Sequence, residues 1–300
     1  MPNDLIFTPT APHHKEWLRQ RALPCGGMNC DISIVNLCCW QFRYQTEIAL
    51  WKNHVIVRFV SSGQRAYIVL FDKNDISSAI GRLLDECQAK GEPLRLMGVC
   101  EDMLPLLENE FPGRFSFDYD RDYCDYIYRR DALATLVGKK LQPKRNFVNR
   151  FLKNYPDYIF RPLEKEDIPA CMTLDDQWTH RNASDSTDDD ELAERQAIAY
   201  VFRHWDELEA CGGVLYVGHQ LVAFTYGSPI NERVFDVCVE KANPFYEGAY
   251  AMINKSFAAS LPDHYELLNR EEDLGLEGLR KAKLSYHPEI LLKKYIVTEK

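Results

Sequence analysis

The sequence predicts an α+β protein of two domains, each built around a mixed β-sheet. The chain has 300 residues, which is enough for two domains of ordinary size. Hydrophobic residues make up 46% of it, as in proteins that bury a real core. Short apolar runs typical of strands alternate with helical stretches in both halves. No apolar run reaches about 18 residues, so we expect no transmembrane segment.

The first half mixes helices and strands. Apolar residues at helical spacing in DISIVNLCCWQFRYQ predict a helix, and TEIALWKN, HVIVRFVS and AYIVLF predict three short strands. DISSAIGRLLDECQAK predicts a helix with Asp75 and Ser77 as candidate caps. PLRLMGV, EDMLPLLENE and FSFDYD then predict a strand, a helix and a strand. We assign residues 1–137 to the N-terminal domain.

The second half has a clearer order of elements. YIFRPL predicts a strand, and EKEDIPACMTLDDQW and ELAERQAIAYVFRHWDELEAC predict helices, with residues 182–190 as a mobile acidic loop between them. GVLYVG, HQLVAFTYG and RVFDVCVE predict three antiparallel strands, and a helix, a strand, a short helix and a last strand follow. This is the order of the acetyltransferase-type fold, and the first half has a looser version of it. We therefore expect two tandem GNAT-like domains (the acyl-CoA N-acyltransferase fold), the second at residues 156–300.

A basic segment, GKKLQPKRNFVNRFLK, joins the two halves and carries six Lys and Arg residues without an acid. The whole chain is acidic, with a formal net charge of -9. Pro143 fits the first turn of a helix, so we expect a basic connector helix within residues 138–155. Cations at a helix N-terminus favour a phosphate-bearing ligand, although a solvated connector is the alternative. The candidate phosphate-binding residues are Lys139, Lys140, Lys144, Arg145 and Asn149.

A second dense group of polar residues follows the predicted strand HYELLN, in NREEDLGLEGLRKAKLSYHP. In the acetyltransferase-type plan, the end of this strand and the residues after the short helix face the reaction cleft. Carboxylates there can hold a substrate ammonium, a tyrosine can donate a proton, and Lys or Arg can stabilise an oxyanion. Each residue taken alone also fits a helix cap or a solvated charge. The candidates are catalytic Asp273, Lys281, Lys283 and Tyr286, and substrate-binding Asn269, Glu271, Arg280, Glu240 and Lys241.

Three motifs in this order resemble a known family. LVGKKLQPKRNFVNRF, VCVEKANPFYEGAYAMIN and NREEDLGLEGLRKAKLSYHP are similar to segments of bacterial proteins related to the C-terminal domain of phosphatidylglycerol lysyltransferases. The resemblance extends from about Asp31 to Tyr295. Those enzymes have two tandem acetyltransferase-like domains and are similar to the Fem-type peptidyltransferases. The resemblance implies transfer of an aminoacyl group from aminoacyl-tRNA to a lipid hydroxyl or a peptidoglycan amine.

The expected function is transfer of an activated acyl group from aminoacyl-tRNA to an amine or hydroxyl of a small-molecule, lipid-headgroup or peptide acceptor. Lys281 or Lys283 is expected to stabilise the oxyanion of this reaction. Asp273 and Glu271 are expected to hold the ammonium of the aminoacyl group. Tyr286 is expected to assist proton transfer to the leaving 3′-oxygen.

Two alternatives stay open. The first is an N-acetyltransferase that uses coenzyme A, but Phe245 and Tyr250 replace the Gln or Arg and the second small residue of the pyrophosphate loop Q/R-x-x-G-x-G/A. The second is a non-catalytic protein that binds RNA or anions through the central helix. Ten scattered cysteines form no C-x-x-C pair, so we expect reduced thiols, no metal and no resident cofactor. Reduced thiols and the absence of a secretory signal predict a cytoplasmic protein.

Overall fold

The computed structural model describes the backbone of residues 5–22, 27–70, 75–182 and 188–300, and their side chains except at 22, 178–182 and 188–191. The predicted α+β class is confirmed, because helices pack against two mixed sheets of seven strands each. The strands of the described chain are β1 (Thr8–Pro9), β2 (Glu47–Trp51), β3 (His54–Ser61), β4 (Gln64–Leu70), β5 (Arg95–Cys100), β6 (Phe115–Tyr119), β7 (Asp125–Arg129), β8 (Tyr158–Pro162), β9 (Cys211–Val217), β10 (Gln220–Pro229), β11 (Val234–Ala242), β12 (Leu267–Asn269), β13 (Ile290–Leu292) and β14 (Lys294–Glu299).

The helices belong to both halves of the chain and include every helix predicted above. They are α1 (Lys15–Ala22), α2 (Ile34–Cys39), α3 (Gln41–Tyr44), α4 (Ile76–Lys90), α5 (Leu104–Glu110), α6 (Arg130–Thr135), α7 (Gln142–Asn154), α8 (Ile168–Asn182), α9 (Asp188–Arg203), α10 (Ala249–Ser260) and α11 (Glu277–Leu284). The first predicted helix is divided into α2 and α3. Most of the predicted acidic loop, residues 183–187, lies outside the described residues, and α9 already begins at Asp188.

The two sheets have the same plan. The first has the strand order β1-β2-β3-β4-β5-β14-β6, and the second has the order β13-β7-β12-β11-β10-β9-β8. Neighbouring strands are antiparallel except for one parallel pair in each sheet, β4 with β5 and β11 with β12. In the second sheet, β9, β10 and β11 form the predicted meander.

The sheets exchange one strand in each direction. The strand between β5 and β6 is β14, from the end of the chain, and the strand between β12 and β13 is β7, from the first half. The division into residues 1–137, 138–155 and 156–300 stays a prediction about the chain, and both exchanged strands cross it. The exchange brings the first residues of β7 and β14, Asp125 and Lys294, into contact between the sheets.

A close approach of β10 and β11 positions the acid Asp236. The register of this pair shifts between Tyr226 and Ser228, which is the mark of a β-bulge. At Gly227 a Cβ atom would lie only 1.8 Å from the backbone oxygen of Asp236. Only glycine permits this distance, so Gly227 allows the strands to converge where Asp236 faces the first half of the chain.

The connector helix α7 begins at Gln142 with Pro143 in its first turn, as predicted. Val148 and Phe151 are buried in the core that α7 shares with α10. The two helices touch so closely that a Cβ on Gly248, just before α10, would lie 2.3 Å from the backbone oxygen of Phe147. This contact fixes α7 against the second sheet, and it determines where the lysines of α7 project.

Candidate active site

The candidate site lies where β11 and β12 stop pairing. The parallel ladder has three residue pairs and ends at Asp236 and Asn269, whereas β11 continues to Ala242. Beyond these two residues, the segments 237–242 and 270–273 continue without pairing to each other. Four clusters of polar side chains lie at or near this point, and each is named here after one member.

The Lys294 cluster marks the place where the sheets exchange strands. The ammonium of Lys294 lies 2.7 Å from Asp125 Oδ1 and 3.1 Å from Asp31 Oδ2, and it also forms an ion pair with Glu272. Burial alone would lower the pKa of Lys294, but the carboxylates of Asp125 and Asp31 raise it well above its usual value. The cluster is therefore an acid-rich cation site that is filled by a lysine of the same chain. Its members are Cys30, Asp31, Asp125, Glu272 and Lys294.

The Asp236 cluster comprises Asn36, Asp236, Cys238 and Glu271. The Asn36 amide donates to Asp236 Oδ2 at 3.2 Å and to Glu271 Oε1 at 2.8 Å, and the Cys238 thiol lies 3.4 Å from Asp236 Oδ2. Asp236 is fully buried, and its Oδ1 has no hydrogen-bond partner among the described residues. Burial raises the pKa of both carboxyl groups well above the usual range, and mutual repulsion adds to this for Glu271. No described lysine or arginine pairs with either acid.

The Asp273 cluster is saturated with internal bonds. Arg280 donates to both carboxylate oxygens of Asp273 at 2.6 and 2.8 Å, and Arg121 and the Tyr126 hydroxyl donate at 3.2 and 2.5 Å. Arg280 also pairs with Asp122. Burial alone would raise the pKa of Asp273, but the bonds from Arg280 and Tyr126 hold it well below the usual range. These bonds favour a structural role for Asp273 and Arg280, which the sequence predicts to be catalytic and substrate-binding.

The Tyr286 cluster gathers two cations around one phenol. It comprises Tyr128, Lys144, Glu240, Arg270 and Tyr286. The Lys144 ammonium lies 4.0 Å from the centroid of the Tyr286 ring, and the Arg270 guanidinium lies 4.9 Å from it. Arg270 donates to Glu240 at 2.9 Å, but its Nη1 is buried and has no hydrogen-bond partner in the described chain. The cluster thus holds a donor that an oxyanion or a carbonyl oxygen could satisfy.

Two titratable groups of this cluster, Lys144 and Tyr286, have pKa values that are shifted in opposite directions. Burial and the nearby Arg270 lower the pKa of Lys144 to about 8. Burial raises the pKa of the Tyr286 phenol, which therefore keeps its proton at neutral pH. The role of Tyr286 as a proton donor stays a prediction, and Lys144, predicted to bind phosphate, lies beside it.

Two further residues predicted to be catalytic, Lys281 and Lys283, both lie on α11 but differ in burial. Lys283 is buried, and its ammonium donates to the backbone oxygens of Arg270, at 2.5 Å, and Glu272. Its pKa is lowered by burial. Lys283 therefore supports the segment that carries Arg270 and Glu271. Lys281 is exposed on α11, and no ion pair of its side chain is found within the described residues.

Predicted substrate-binding residues also make internal contacts. Asn269 is buried, and its side-chain amide donates to Asp125 Oδ2 at 2.7 Å. Its side-chain oxygen Oδ1 accepts a hydrogen bond from the backbone N–H of Glu271 at 2.7 Å. Glu240 accepts from Arg270, as described above. Lys241 is buried between Asp175, at 3.2 Å, and Glu194, at 2.7 Å. Asn269 thus orients Glu271, whereas Lys241 lies in a separate ion-pair group.

The candidate phosphate ligands divide into three groups. Lys139, Lys140 and Asn149 are exposed. Arg145 donates to the backbone oxygens of Leu136 and, at 2.7 Å, Gly138, so it closes the turn before α7. Lys144 points into the Tyr286 cluster. Phosphate binding by these residues stays a prediction, and the structure adds a competing structural role for Arg145.

The sequence analysis did not select three residues that the geometry makes prominent. Asp236 is an acid flanked by apolar residues in VFDVC, which is itself a signal because an isolated buried carboxylate is costly. Arg270 stands between two selected residues, Asn269 and Glu271. Lys294 gave no such signal, because LLKKY reads as an ordinary strand with solvated lysines.

The chain matches the family model described as "Phosphatidylglycerol lysyltransferase, C-terminal" over residues 28–298. This match covers most of the chain. The chain belongs to this family. The resemblance inferred from the three motifs is thereby confirmed.

The solved structures agree with this assignment. A conserved protein of unknown function from Bacteroides thetaiotaomicron is 40% identical, with a TM-score of 0.94, and the likeness covers 99% of this chain and 100% of that one. L-PGS from Bacillus licheniformis is 14% identical with a TM-score of 0.66, covering 97% of this chain and 92% of that one. FemX is 10% identical with a TM-score of 0.58, covering 97% and 96%. The tandem GNAT-like fold predicted from the element order is confirmed.

One curated relative, an uncharacterized protein of Mycoplasmoides gallisepticum, is 29% identical over 178 residues. The match spans 58% of this chain and 55% of that protein, so this chain corresponds to about half the length of that relative. Within the part of the chain described here, no helix has the length and apolar composition needed to cross a membrane.

Proposed function

We propose that this protein is an aminoacyltransferase that takes the aminoacyl group from aminoacyl-tRNA and passes it to an amine or hydroxyl acceptor in the cytoplasm. One observation carries the proposal. Two clusters beside the end of the β11–β12 ladder each have a buried polar atom without a hydrogen-bond partner among the described residues. In the Asp236 cluster it is a carboxylate oxygen of Asp236, and in the Tyr286 cluster it is Nη1 of the Arg270 guanidinium. An aminoacyl ester carries an ammonium next to its carbonyl, so it offers both the cation and the oxygen that these groups lack.

The Asp236 cluster would hold the ammonium. Among the described residues, Asp236 and Glu271 contact neutral donors and no cation: the Asn36 amide bonds to both, and the Cys238 thiol and Ser33 hydroxyl bond to Asp236. Burial raises the pKa of both acids, so they hold protons while no cation is present, and an ammonium that forms charge-assisted hydrogen bonds with both would stabilise their ionised forms. Glu271 therefore keeps the role that the sequence predicts for it, and Asp236 takes the place of Asp273, whose carboxylate is already bonded to Arg280.

The Tyr286 cluster would hold the reacting carbonyl. The unpartnered Nη1 of Arg270 is the donor for the oxyanion that forms when the acceptor attacks. The sequence predicts this role for Lys281 or Lys283, but the ammonium of Lys283 is bonded to two backbone oxygens. Tyr286 would give its proton to the leaving 3′-oxygen, and the exposed Lys139 and Lys140 before α7 would contact phosphates of the tRNA.

The packing of α7 on α10 disfavours coenzyme A as the donor. In the acyl-CoA-dependent plan, pyrophosphate binds at the start of the helix after the third meander strand, which is α10 here. That start lies against α7, with Gly248 next to the backbone of Phe147. The substitutions at Phe245 and Tyr250 agree with this, because they remove the Gln or Arg and the second small residue of the pyrophosphate loop.

Transfer can be tested with total tRNA charged with radiolabelled amino acids. The purified full chain is incubated with it in separate arms that contain phosphatidylglycerol vesicles, peptidoglycan peptides, or small amines and alcohols. We expect label to leave the tRNA and appear in an acceptor in at least one arm. Tyr286→Phe should reduce this rate by about 100-fold or more, the usual effect of losing a general acid.

A matched control is Tyr295→Phe, because Tyr295 lies in the first sheet and, within the described residues, its hydroxyl donates to the exposed Glu101 alone. Its rate should equal that of the unaltered protein. No movement of label in any arm, together with equal affinity for charged and uncharged tRNA, would overturn the proposal. A parallel arm with acetyl-CoA decides whether coenzyme A is used instead.

A further inference from the structure

The position of Lys144 suggests chemistry rather than simple phosphate binding. Its ammonium lies over the face of Tyr286, and within the described residues it makes no ion pair with any acid. The nearest carboxylate of the cluster, Glu240, is already bonded to Arg270 and Asn254. The aromatic face stabilises a cation in this place, but the adjacent Arg270 repels it.

We propose that Lys144 is the general base of the transfer reaction and that Lys144 and Tyr286 act as an acid–base pair. This inference rests on the proposed function and assigns to its site a proton acceptor. The groups that face Lys144 are Glu240 from β11, Arg270 after β12 and Tyr286 after α11. Arg270 disfavours the charged form of Lys144, and Glu240 favours it less strongly.

The proton balance closes within the pair. The acceptor N–H or O–H attacks the ester carbonyl carbon, and its proton passes to the neutral Lys144 amine. The bond between the carbonyl carbon and the 3′-oxygen breaks, and Tyr286 gives its proton to that oxygen. Lys144 then holds the extra proton and Tyr286 lacks one, so transfer from Lys144 to the phenolate restores both. Two groups whose environments push their proton affinities in opposite directions at one site are the usual sign of such a pair.

The first test measures Lys144 without any need for the reaction. Trace acylation of all lysines with acetic anhydride between pH 6 and pH 11, followed by mass spectrometry of peptides, gives a midpoint for each lysine. We expect a midpoint near pH 8 for Lys144. Arg270→Met should move the Lys144 midpoint upward, because it removes the repelling cation. A Lys144 midpoint near 10.5 in the unaltered protein would overturn the proposal.

The second test separates a base from a phosphate ligand. Lys144→Arg keeps the positive charge but cannot accept a proton, so the rate of transfer should fall about 100-fold or more while affinity for charged tRNA stays within about 2-fold. The rate of the unaltered protein should rise with pH through about 8. Lys153→Arg is the control and should change neither quantity. An unchanged rate in Lys144→Arg would contradict the base role.

Different results would contradict the proposed aminoacyl transfer and the role of Lys144 as its base. If the unaltered protein transfers no label in any acceptor arm, the proposed function fails, and the role of base fails with it. An acylation midpoint near pH 8 would then still show that Lys144 loses its proton near pH 8, but it would give Lys144 no role in a reaction. If transfer occurs and Lys144→Arg is fully active, only the base role fails.

Discussion

Two acid-rich groups lie close together between the sheets, and only one of them contains its own cation. In the Lys294 cluster, the ammonium of Lys294 contacts three carboxylates. In the Asp236 cluster, the described partners of Asp236 and Glu271 are neutral donors: the Asn36 amide, the Cys238 thiol and the Ser33 hydroxyl. The filled cluster ties the exchanged strands together, whereas the unfilled one lies beside the end of the β11–β12 ladder.

This difference distinguishes charged side chains that stabilise the fold from charged side chains that are available to bind a ligand. A carboxylate that is saturated by arginine or lysine of its own chain, as Asp273 and Asp125 are, has no free capacity for a ligand. A buried carboxylate left with an unpartnered oxygen, as in Asp236, costs stability unless something else supplies a cation. The filled cluster also shows which ligand suits the unfilled one, because an ammonium among carboxylates is what the chain itself uses nearby.

The largest expected effect is the loss of the cation from the filled cluster. Lys294→Met leaves Asp125 buried without its cation, so the free energy of unfolding should fall by about 3–5 kcal/mol. Urea denaturation monitored by tryptophan fluorescence measures this. Lys293→Met is the matched control, since Lys293 is exposed and pairs with exposed Glu101, and its effect should stay below about 1 kcal/mol. Equal effects of the two variants would contradict the comparison.

The unfilled cluster should show itself in the pH dependence of stability. The pKa of Asp236 is raised in the folded state, so the native state binds a proton more tightly than the unfolded state. Its stabilising effect is complete below the unfolded pKa of about 4 and is lost as pH rises through the folded value. The free energy of unfolding should therefore fall as pH rises above about 4, by about 1.4 kcal/mol for each pH unit until the folded pKa is passed, and Asp236→Asn should flatten this fall.

Asp273→Asn provides the opposite case. The pKa of Asp273 is lowered in the folded state, so its carboxyl group is ionised throughout pH 5 to 8. This variant should lower stability by a similar amount at every pH in that range and leave the slope unchanged. A change of slope in Asp273→Asn, or none in Asp236→Asn, would show that the two acids have been assigned the wrong roles.

A smaller effect separates the two kinds of cation before and within α7. Arg145→Ala removes bonds to two backbone oxygens, so the free energy of unfolding should fall by about 1–2 kcal/mol. The exposed Lys139 and Lys140 make no such bonds, so changing both to Ala should leave stability unchanged and lower the salt dependence of tRNA binding. If Arg145→Ala instead lowers the salt dependence and leaves stability unchanged, Arg145 is a phosphate ligand.

The parts of the fold that depend on local pattern could be predicted from the sequence. The meander β9 to β11 and the amphipathic α7 follow from apolar spacing and from Pro143. The exchange of β7 and β14 could not be predicted, because a strand's own residues do not say which sheet it will join. For the same reason Lys294 read as a solvated lysine, although it lies among three acids.

The sequence indicated the region in which the polar clusters lie, and the catalytic role of each residue there stays a prediction. Glu271 and Tyr286 lie in the clusters that remain chemically open. Asp273 and Asp236 are the same residue type, but Arg121 and Arg280 reach Asp273 from other elements. Partners far apart in sequence decide whether a carboxylate is saturated, so composition near a motif cannot distinguish the two cases.

The claim that the Asp236 cluster binds the aminoacyl ammonium is tested most directly by measuring the affinity of the protein for charged and uncharged total tRNA at one salt concentration. The ammonium exists only on charged tRNA, and charge-assisted hydrogen bonds contribute about 1.5–3 kcal/mol, so charged tRNA should bind at least about 10-fold more tightly. Asp236→Asn should reduce this ratio to near 1, whereas Asp31→Asn, in the filled cluster, should preserve it. Equal affinities in the unaltered protein, or a ratio that survives Asp236→Asn, would contradict the claim that the unfilled acid cluster binds the aminoacyl ammonium.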